Sequence, residues 1–350
     1  FYMGDPWYCM PLVCCYNVSR RMACTMRCID KNKNNGGAGM AEELTSYFNG
    51  EYIPDTQCNV HVTDRGFRYG DAVFDIQRTF NGRPFRLREH LERFMRSLKY
   101  ARLDAGLTLD EWENISRTLL DRNEHLRLPG GDLNVGQYVS RGLGFDAIDP
   151  VPLTVCVRVW HVLPSQFVKG YQEGVHGVIV KTKSYSHEAF EPKVKHNNRL
   201  NMTLAHLEAA DVDPEGYPIL TDAQGNITEN IQANIWIVRD GVLKTPTNRS
   251  SLPGDTQKFV FKIAENLGIE ARNEDLQPYD LYTADEVFFT NTAYCVLPVG
   301  RVDNRKIGDK APGEVTQQLL AAFSEHVGVD LVDQALNFKR PEGVHGWGSP

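Results

Sequence analysis

Hydrophobic and polar positions change rhythm several times along this chain. From Tyr47 to Asp64 apolar residues come in short alternating runs, with Asn49-Gly50 between the first two, a dipeptide suited to the left-handed conformations of a tight hairpin. The pattern predicts strands on either side of that turn and a further one over N-V-H-V-T-D, Asn59 to Asp64. Asp71 to Phe80 alternates as another strand, which Asn81-Gly82 returns into P-F-R-L. From about Arg88 the period lengthens: Leu91, Phe94, Met95 and Leu98 recur at helical spacing, and Leu109 to Leu126 reads as a second helix. Two strands, V-G-Q-Y-V-S and L-T-V-C-V-R-V-W, then flank the turn that begins at Arg141.

Residues Val162 to Gly174 hold no sustained period and contain Pro164 and two glycines, so the connection between two domains is expected there. Beyond it the pattern predicts a strand at Val175 to Lys181 and a helix at Asn198 to Ala210. Strands at I-L-T-D and A-N-I-W-I-V, a helix from Thr256 to Leu267, a strand at E-V-F-F-T-N-T and a last helix from Pro312 to His326 follow. The expected organisation is a small α+β domain at 40–161, a connection at 162–174, a larger domain at 175–335 and a tail at 336–350.

Composition narrows the function classes. The chain has 350 residues, 41% hydrophobic and 24% charged, which suits two globular domains, and a formal net charge of -7 with no long basic run, which argues against nucleic acid and anionic membrane as partners. No stretch approaches the roughly 18 consecutive apolar residues of a membrane-spanning helix, so the cytoplasm is the expected compartment. Cys9, Cys14, Cys15, Cys24 and Cys28 crowd the beginning of the chain, while Cys58, Cys156 and Cys295 are scattered, as in a reduced enzyme. The early cysteines lack the paired spacing of a zinc site and have no histidine before His61, so no metal is expected. The run K-N-K-N-N-G-G-A-G that follows is a linker by composition, and residues 1–39 read as an extraneous leader, with Met40 as the start of the folded chain.

Five separated motifs carry chemistry. They are P-K-V-K-H-N-N-R-L-N-M-T-L-A from Pro192, D-A-Q-G-N-I-T-E-N-I-Q-A-N-I-W-I-V from Asp222, F-R-L-R-E-H-L-E-R-F from Phe85, S-L-P-G-D-T from Ser251 and V-F-F-T-N-T-A-Y from Val287. Taken singly, each admits a plain reading as a solvated lysine, a turn glutamate or a surface arginine. In order and spacing over Tyr47 to Val329 they resemble the class IV aminotransferases, related to branched-chain and D-amino-acid aminotransferases.

That resemblance implies an α/β (α+β) two-domain fold type IV enzyme, with a pseudo-barrel sheet in the larger domain and pyridoxal 5'-phosphate between the domains. It implies a homodimer that moves an amino group from an amino acid or amine to a 2-oxo acid. Lys195 matches the lysine that carries the cofactor as a Schiff base, and Glu229 matches the carboxylate facing the pyridine nitrogen. Arg93 matches the phosphate-binding arginine, and Thr256, Asp255 and Thr292 match positions around the same phosphate. Asp255 departs from the family, which more often has an apolar residue there. R-Y-G-D-A-V-F-D-I-Q-R-T-F-N-G, from Arg68, is similar to the pocket-lining strand, placing Tyr69 and Phe74 near substrate. The aromatic and arginine that hold a carboxylate in branched-chain enzymes are replaced by Asn134 and Gly136, and the Arg-x-His pair of D-amino-acid enzymes is missing after Arg141. Arg78 or the amides near Ala293 are therefore the expected substitutes. K-H-N-N-R-L is also similar to the aminodeoxychorismate lyases, which leaves elimination as an alternative, and a scaffold without chemistry as a second.

Overall fold

The structure, a computed structural model, describes residues 43–344. The cysteine-bearing leader and Met40 lie outside the described residues. The described residues form one compact unit, organised by two sheets.

The first sheet begins with the hairpin of β1 (Thr45–Phe48) and β2 (Glu51–Pro54), turned at Asn49 and Gly50, whose φ angles of 48° and 99° a side chain larger than theirs tolerates poorly. It continues with α1 (Arg65–Tyr69), β3 (Ala72–Phe80), β4 (Arg83–Pro84), α2 (Leu87–Ala101), α3 (Leu109–Asn123), β5 (Asp132–Ser140) and β6 (Thr154–Val162), giving the strand order β2-β1-β6-β5-β3-β4. The apolar stripe that predicts α2 packs inward: Leu91, Phe94 and Leu98 meet Trp112 and Leu119 of α3 and Val135, Val157 and Val159 of the sheet. Phe94 sets its ring edge-on to Trp112 at 5.1 Å. α3 starts where Thr108 and Glu111 cap one another reciprocally, an arrangement that contributes about 1 kcal/mol.

The expected strand at Asn59 to Asp64 does not form. Val60 and Val62 alternate as strand residues do, yet both are more than half exposed and no neighbouring strand pairs with them. The Asp64 carboxylate instead accepts the Gly66 amide and caps α1.

The aperiodic stretch after β6 holds a 3-10 turn at Pro164–Phe167 and α4 (Val168–Glu173), a helix too short to display a period. The second sheet follows: β7 (Val175–Lys183), α5 (Leu200–Val212), β8 (Tyr217–Thr221), β9 (Ile227–Asn230), β10 (Asn234–Arg239), β11 (Val242–Thr245), α6 (Asp255–Leu267), β12 (Ala271–Asn273), α7 (Pro278–Tyr282), β13 (Glu286–Asn291), β14 (Cys295–Val302), β15 (Arg305–Lys306), α8 (Glu314–Val327) and α9 (Leu331–Asn337). Its order runs β12-β11-β10-β13-β14-β7-β8-β9, and the pairing of Glu229 with Asn234 brings β9 back onto β10. Six strands thus close into a ring, the barrel-like sheet that the resemblance implies. Trp236, Phe288, Phe289 and Leu297 fill its core, with Phe259 of α6 and Phe323 of α8 packed against them. Among the described residues no helix is long and apolar enough to cross a membrane.

The segment before α5 crosses back to the first sheet. The Phe74 amide donates to the Lys195 carbonyl at 2.9 Å and the Asn197 amide to the Ala72 carbonyl at 3.0 Å, so Lys195 is held by the backbone of β3.

Candidate active site

Lys195 therefore enters a cleft from a fixed point. Its own amide donates to Ser97 Oγ on α2 at 3.2 Å, and its Nζ stands 4.9 Å from the centre of the Phe74 ring. Burial, with the Arg93 charge as the next contribution, lowers the ammonium to about 8. An amine with that pKa is neutral for an appreciable fraction of the time near neutral pH, as a nucleophile and proton acceptor must be.

Glu229 lines the same cleft, fixed by the closing pair of the barrel. Burial raises its carboxyl to about 7, against the opposing pull of the Leu252 amide, which donates to Oε2 at 3.1 Å, and of Arg199 and Lys195. Ionised, it lacks a full counter-charge, so a protonated ring nitrogen placed there would find a carboxylate ready for it.

Arg93, Thr256 and Thr292 line the same cleft. Thr256 lies in the first turn of α6, whose cap residue Gly254 offers no side-chain hydrogen bond to the open amides. A Cβ at Gly254 would come within 2.1 Å of Asn234 Oδ1, so only glycine lets the chain pass so close to β10. Arg93 is almost fully buried and gripped by Asp75, with Nε to Oδ2 at 2.8 Å and Nη2 to Oδ1 at 2.7 Å, while Nη1 meets Asp255 Oδ2 at 2.9 Å. Burial alone would raise the Asp75 carboxyl; Arg93 and His90 reverse that and hold it well below the carboxylate range. Asp255, expected beside the phosphate, is in the cleft wall, but its side chain is an ion-pair partner of Arg93 and Lys258.

These donors fit a small phosphorylated, ring-shaped cofactor. A lysine, a carboxylate and a cup of arginine, threonines and helix amides line one cleft, and the Tyr185 hydroxyl on its wall is buried without a hydrogen-bond partner. Two further features were not read from the motifs. Asp75 orients Arg93, and Arg199 enters the cleft, its guanidinium donating to the Ile231 carbonyl and making no ion pair within 4 Å among the described residues. Burial lowers the Arg199 pKa while Glu229 acts to raise it. Only the arginine of K-H-N-N-R-L could have signalled the second; nothing local marks the first.

Three expected pocket residues do not line this cleft. Tyr69 is half exposed on α1 and stacks with Arg65 and Arg68. Ala293 borders a neighbouring cavity, and its amide is taken by Asn291 Oδ1. Arg78, the expected carboxylate anchor, is buried and occupied: it donates to Ala293 O at 2.6 Å, Gln334 Oε1 at 3.1 Å and Asp132 Oδ2 at 3.2 Å, and lies over the Phe80 ring. A free fork of donors is not available from it. Gly136 has its own explanation: a Cβ there would lie 2.8 Å from the Trp160 ring, so no arginine fits at that position unless the indole moves.

Comparison with known proteins gives these residues a context. A family model described as amino-transferase class IV matches residues 72–302. The chain is 36% identical to a putative branched-chain-amino-acid aminotransferase of Methanocaldococcus jannaschii, over 80% of this chain and 95% of the relative. It is 28% identical to a D-alanine aminotransferase of Staphylococcus aureus, over 80% and 97%. The crystal structure of a T.th. branched-chain amino acid aminotransferase with pyridoxamine 5'-phosphate superimposes with a TM-score of 0.75 at 27% identity, over 83% of this chain and 96% of that one.

Proposed function

Because the chain belongs to the class IV aminotransferases, it is a pyridoxal-phosphate-dependent transaminase, and we propose that Lys195 both holds the cofactor and carries the proton of the reaction. The observation that carries this reading is the single cleft in which a buried, weakened lysine faces a buried glutamate and a cup of phosphate donors. When bound, the cofactor supplies an electron-withdrawing ring that stabilises negative charge at the substrate α-carbon.

This chain's residues supply the rest. Arg93, Thr256, Thr292 and the first amides of α6 hold the phosphate and fix the ring's position. Glu229 keeps a proton on the ring nitrogen. Lys195 Nζ would be the base that takes the proton from the substrate α-carbon and the acid that gives a proton back. Phe74 forms an apolar wall beneath that amine and excludes water. Arg199, whose charge acts on both Lys195 and Glu229, would meet an anionic oxygen of the ligand.

The substrates are an amino acid and a 2-oxo acid. The working form is proposed to be a homodimer, supported by the exposed leucines Leu200, Leu204 and Leu207, which share one face of α5 beside the cleft. Free Cys58, Cys156 and Cys295 suit a reducing compartment, and the cytoplasm is proposed.

Borohydride reduction of the purified holoenzyme, followed by peptide mapping, tests the central assignment. The label should fall on Lys195, and a label on another lysine would refute it. A panel of L- and D-amino acids and amines with pyruvate or 2-oxoglutarate then identifies the donor.

A further inference from the structure

Arg93 is engaged at every nitrogen. Its Nε and Nη2 donate to the two oxygens of Asp75, while Nη1 donates to the Pro253 carbonyl at 3.3 Å and stands 2.9 Å from Asp255 Oδ2 as an ion pair in which that oxygen accepts no hydrogen bond. The charged and titratable groups around this point are Arg93 and His90 from α2, Asp75 from β3, and Asp255 and Lys258 from α6, with Lys195 and Glu229 lining the same cleft. Two carboxylates therefore balance Arg93 and Lys258 before any phosphate arrives. Asp255 is 1% exposed, so water does not screen the repulsion between its carboxylate and an incoming phosphate dianion.

We infer that Asp255 competes with the cofactor's phosphate for Arg93 Nη1, so that the phosphate enters together with a proton taken up by the Asp255 carboxyl. The inference rests on the cofactor reading above. Asp75 cannot serve instead, because it grips Arg93 through both oxygens and takes a third contact from His90. Asp255 can yield: its other oxygen keeps Lys258 at 2.8 Å, and protonation removes its hold on Arg93 without leaving a buried unpaired charge. In the free protein Arg93, His90 and Lys258 hold that carboxyl below its ordinary value although burial acts to raise it, so the proton must be gained on binding.

Calorimetric titration of cofactor-free protein with pyridoxamine 5'-phosphate, in buffers of different ionisation enthalpy, counts the protons. Near pH 8 the ligand phosphate, with a second pKa of about 6, is already a dianion. The wild type should take up about one proton more than Asp255→Asn and bind at least about 10⁴-fold more weakly, because a carboxyl held below its ordinary value has to be protonated at pH 8, and the gap should narrow by about tenfold for each pH unit descended. Asp255→Ile, which also removes the charge, should behave like Asp255→Asn. Pyridoxamine without phosphate should not distinguish the three proteins. Equal affinities and equal proton counts for wild type and variants would overturn this inference alone. Failure of every protein to bind the phosphorylated ligand would overturn the cofactor reading and this inference with it.

Discussion

Lys195 Nζ stands 4.9 Å from the centre of the Phe74 ring, and the backbones of the same two residues are joined by the hydrogen bond from the Phe74 amide to the Lys195 carbonyl. The strand that provides the apolar wall also fixes the distance of the amine from it. An ammonium in that place loses hydration, which is the leading reason its pKa falls to about 8.

The first prediction concerns pH. A protonated amine has no lone pair to offer, so at saturating pyridoxal phosphate the first-order rate of cofactor attachment should climb about tenfold per unit below pH 8 and level off above it. Stopped-flow absorbance reads this directly. A rate flat between about pH 6 and 8 would place the reactive amine elsewhere.

Replacing Lys195 with Met should abolish turnover and yet stabilise the cofactor-free protein. The folded-state pKa lies below the unfolded value of 10.5, so the burial penalty is fully present below about pH 8 and fades as pH rises towards 10.5. At about 1.4 kcal/mol per unit the gain at neutral pH is of order 3 kcal/mol. Thermal melts at neutral pH and near pH 10 should show the difference shrinking with pH.

Glu229→Gln separates the same two effects for an acid. With its folded pKa near 7, above the unfolded 4.5, Glu229 contributes a cost that is absent below about pH 4.5 and complete above 7. The variant should melt higher than wild type without cofactor at pH 8 and equally at pH 4.5, while single-turnover proton abstraction falls at least a hundredfold, since an amide cannot keep the ring nitrogen protonated. An unchanged single-turnover rate would remove the carboxylate from the mechanism.

Arg78→Ala should act on stability and not on substrate choice. It would leave Asp132 buried without its partner, a loss of about 3–5 kcal/mol. Denaturant unfolding should show that cost, and KM for amino acids and for simple amines should change by the same factor. A selective rise for amino acids would restore Arg78 as a carboxylate anchor.

The pattern of apolar positions foretold most of what is regular and long. α2, α3, α6 and α8 announce themselves because one face of each is buried over three or more turns, and β3, β5 and β6 because they alternate. α4, β9 and α9 are too short for a period to emerge. Asn59 to Asp64 misled for the opposite reason: alternation states which faces a strand would have, and pairing depends on a neighbour that local sequence does not name. For the candidate site, motif order picked out Lys195, Glu229 and Arg93, which line one cleft, whereas Tyr69, Arg78 and Ala293 were placed by position along a strand or turn and do not line it. Arg78 shows why: its partners Asp132, Ala293 and Gln334 come from three distant parts of the chain.

The pair of Glu229 with Asn234 is the last seam of the six-strand ring, and the residue on that seam is the one proposed to grip the cofactor's ring nitrogen. A chain folded in part, with β8 and β9 not yet laid against β10, has no such grip. Cofactor affinity is then a property of the finished barrel alone, and every bound molecule draws the population towards it. In a cell this makes vitamin supply a determinant of how much of the protein survives proteolysis: the molecules that persist are those already able to work.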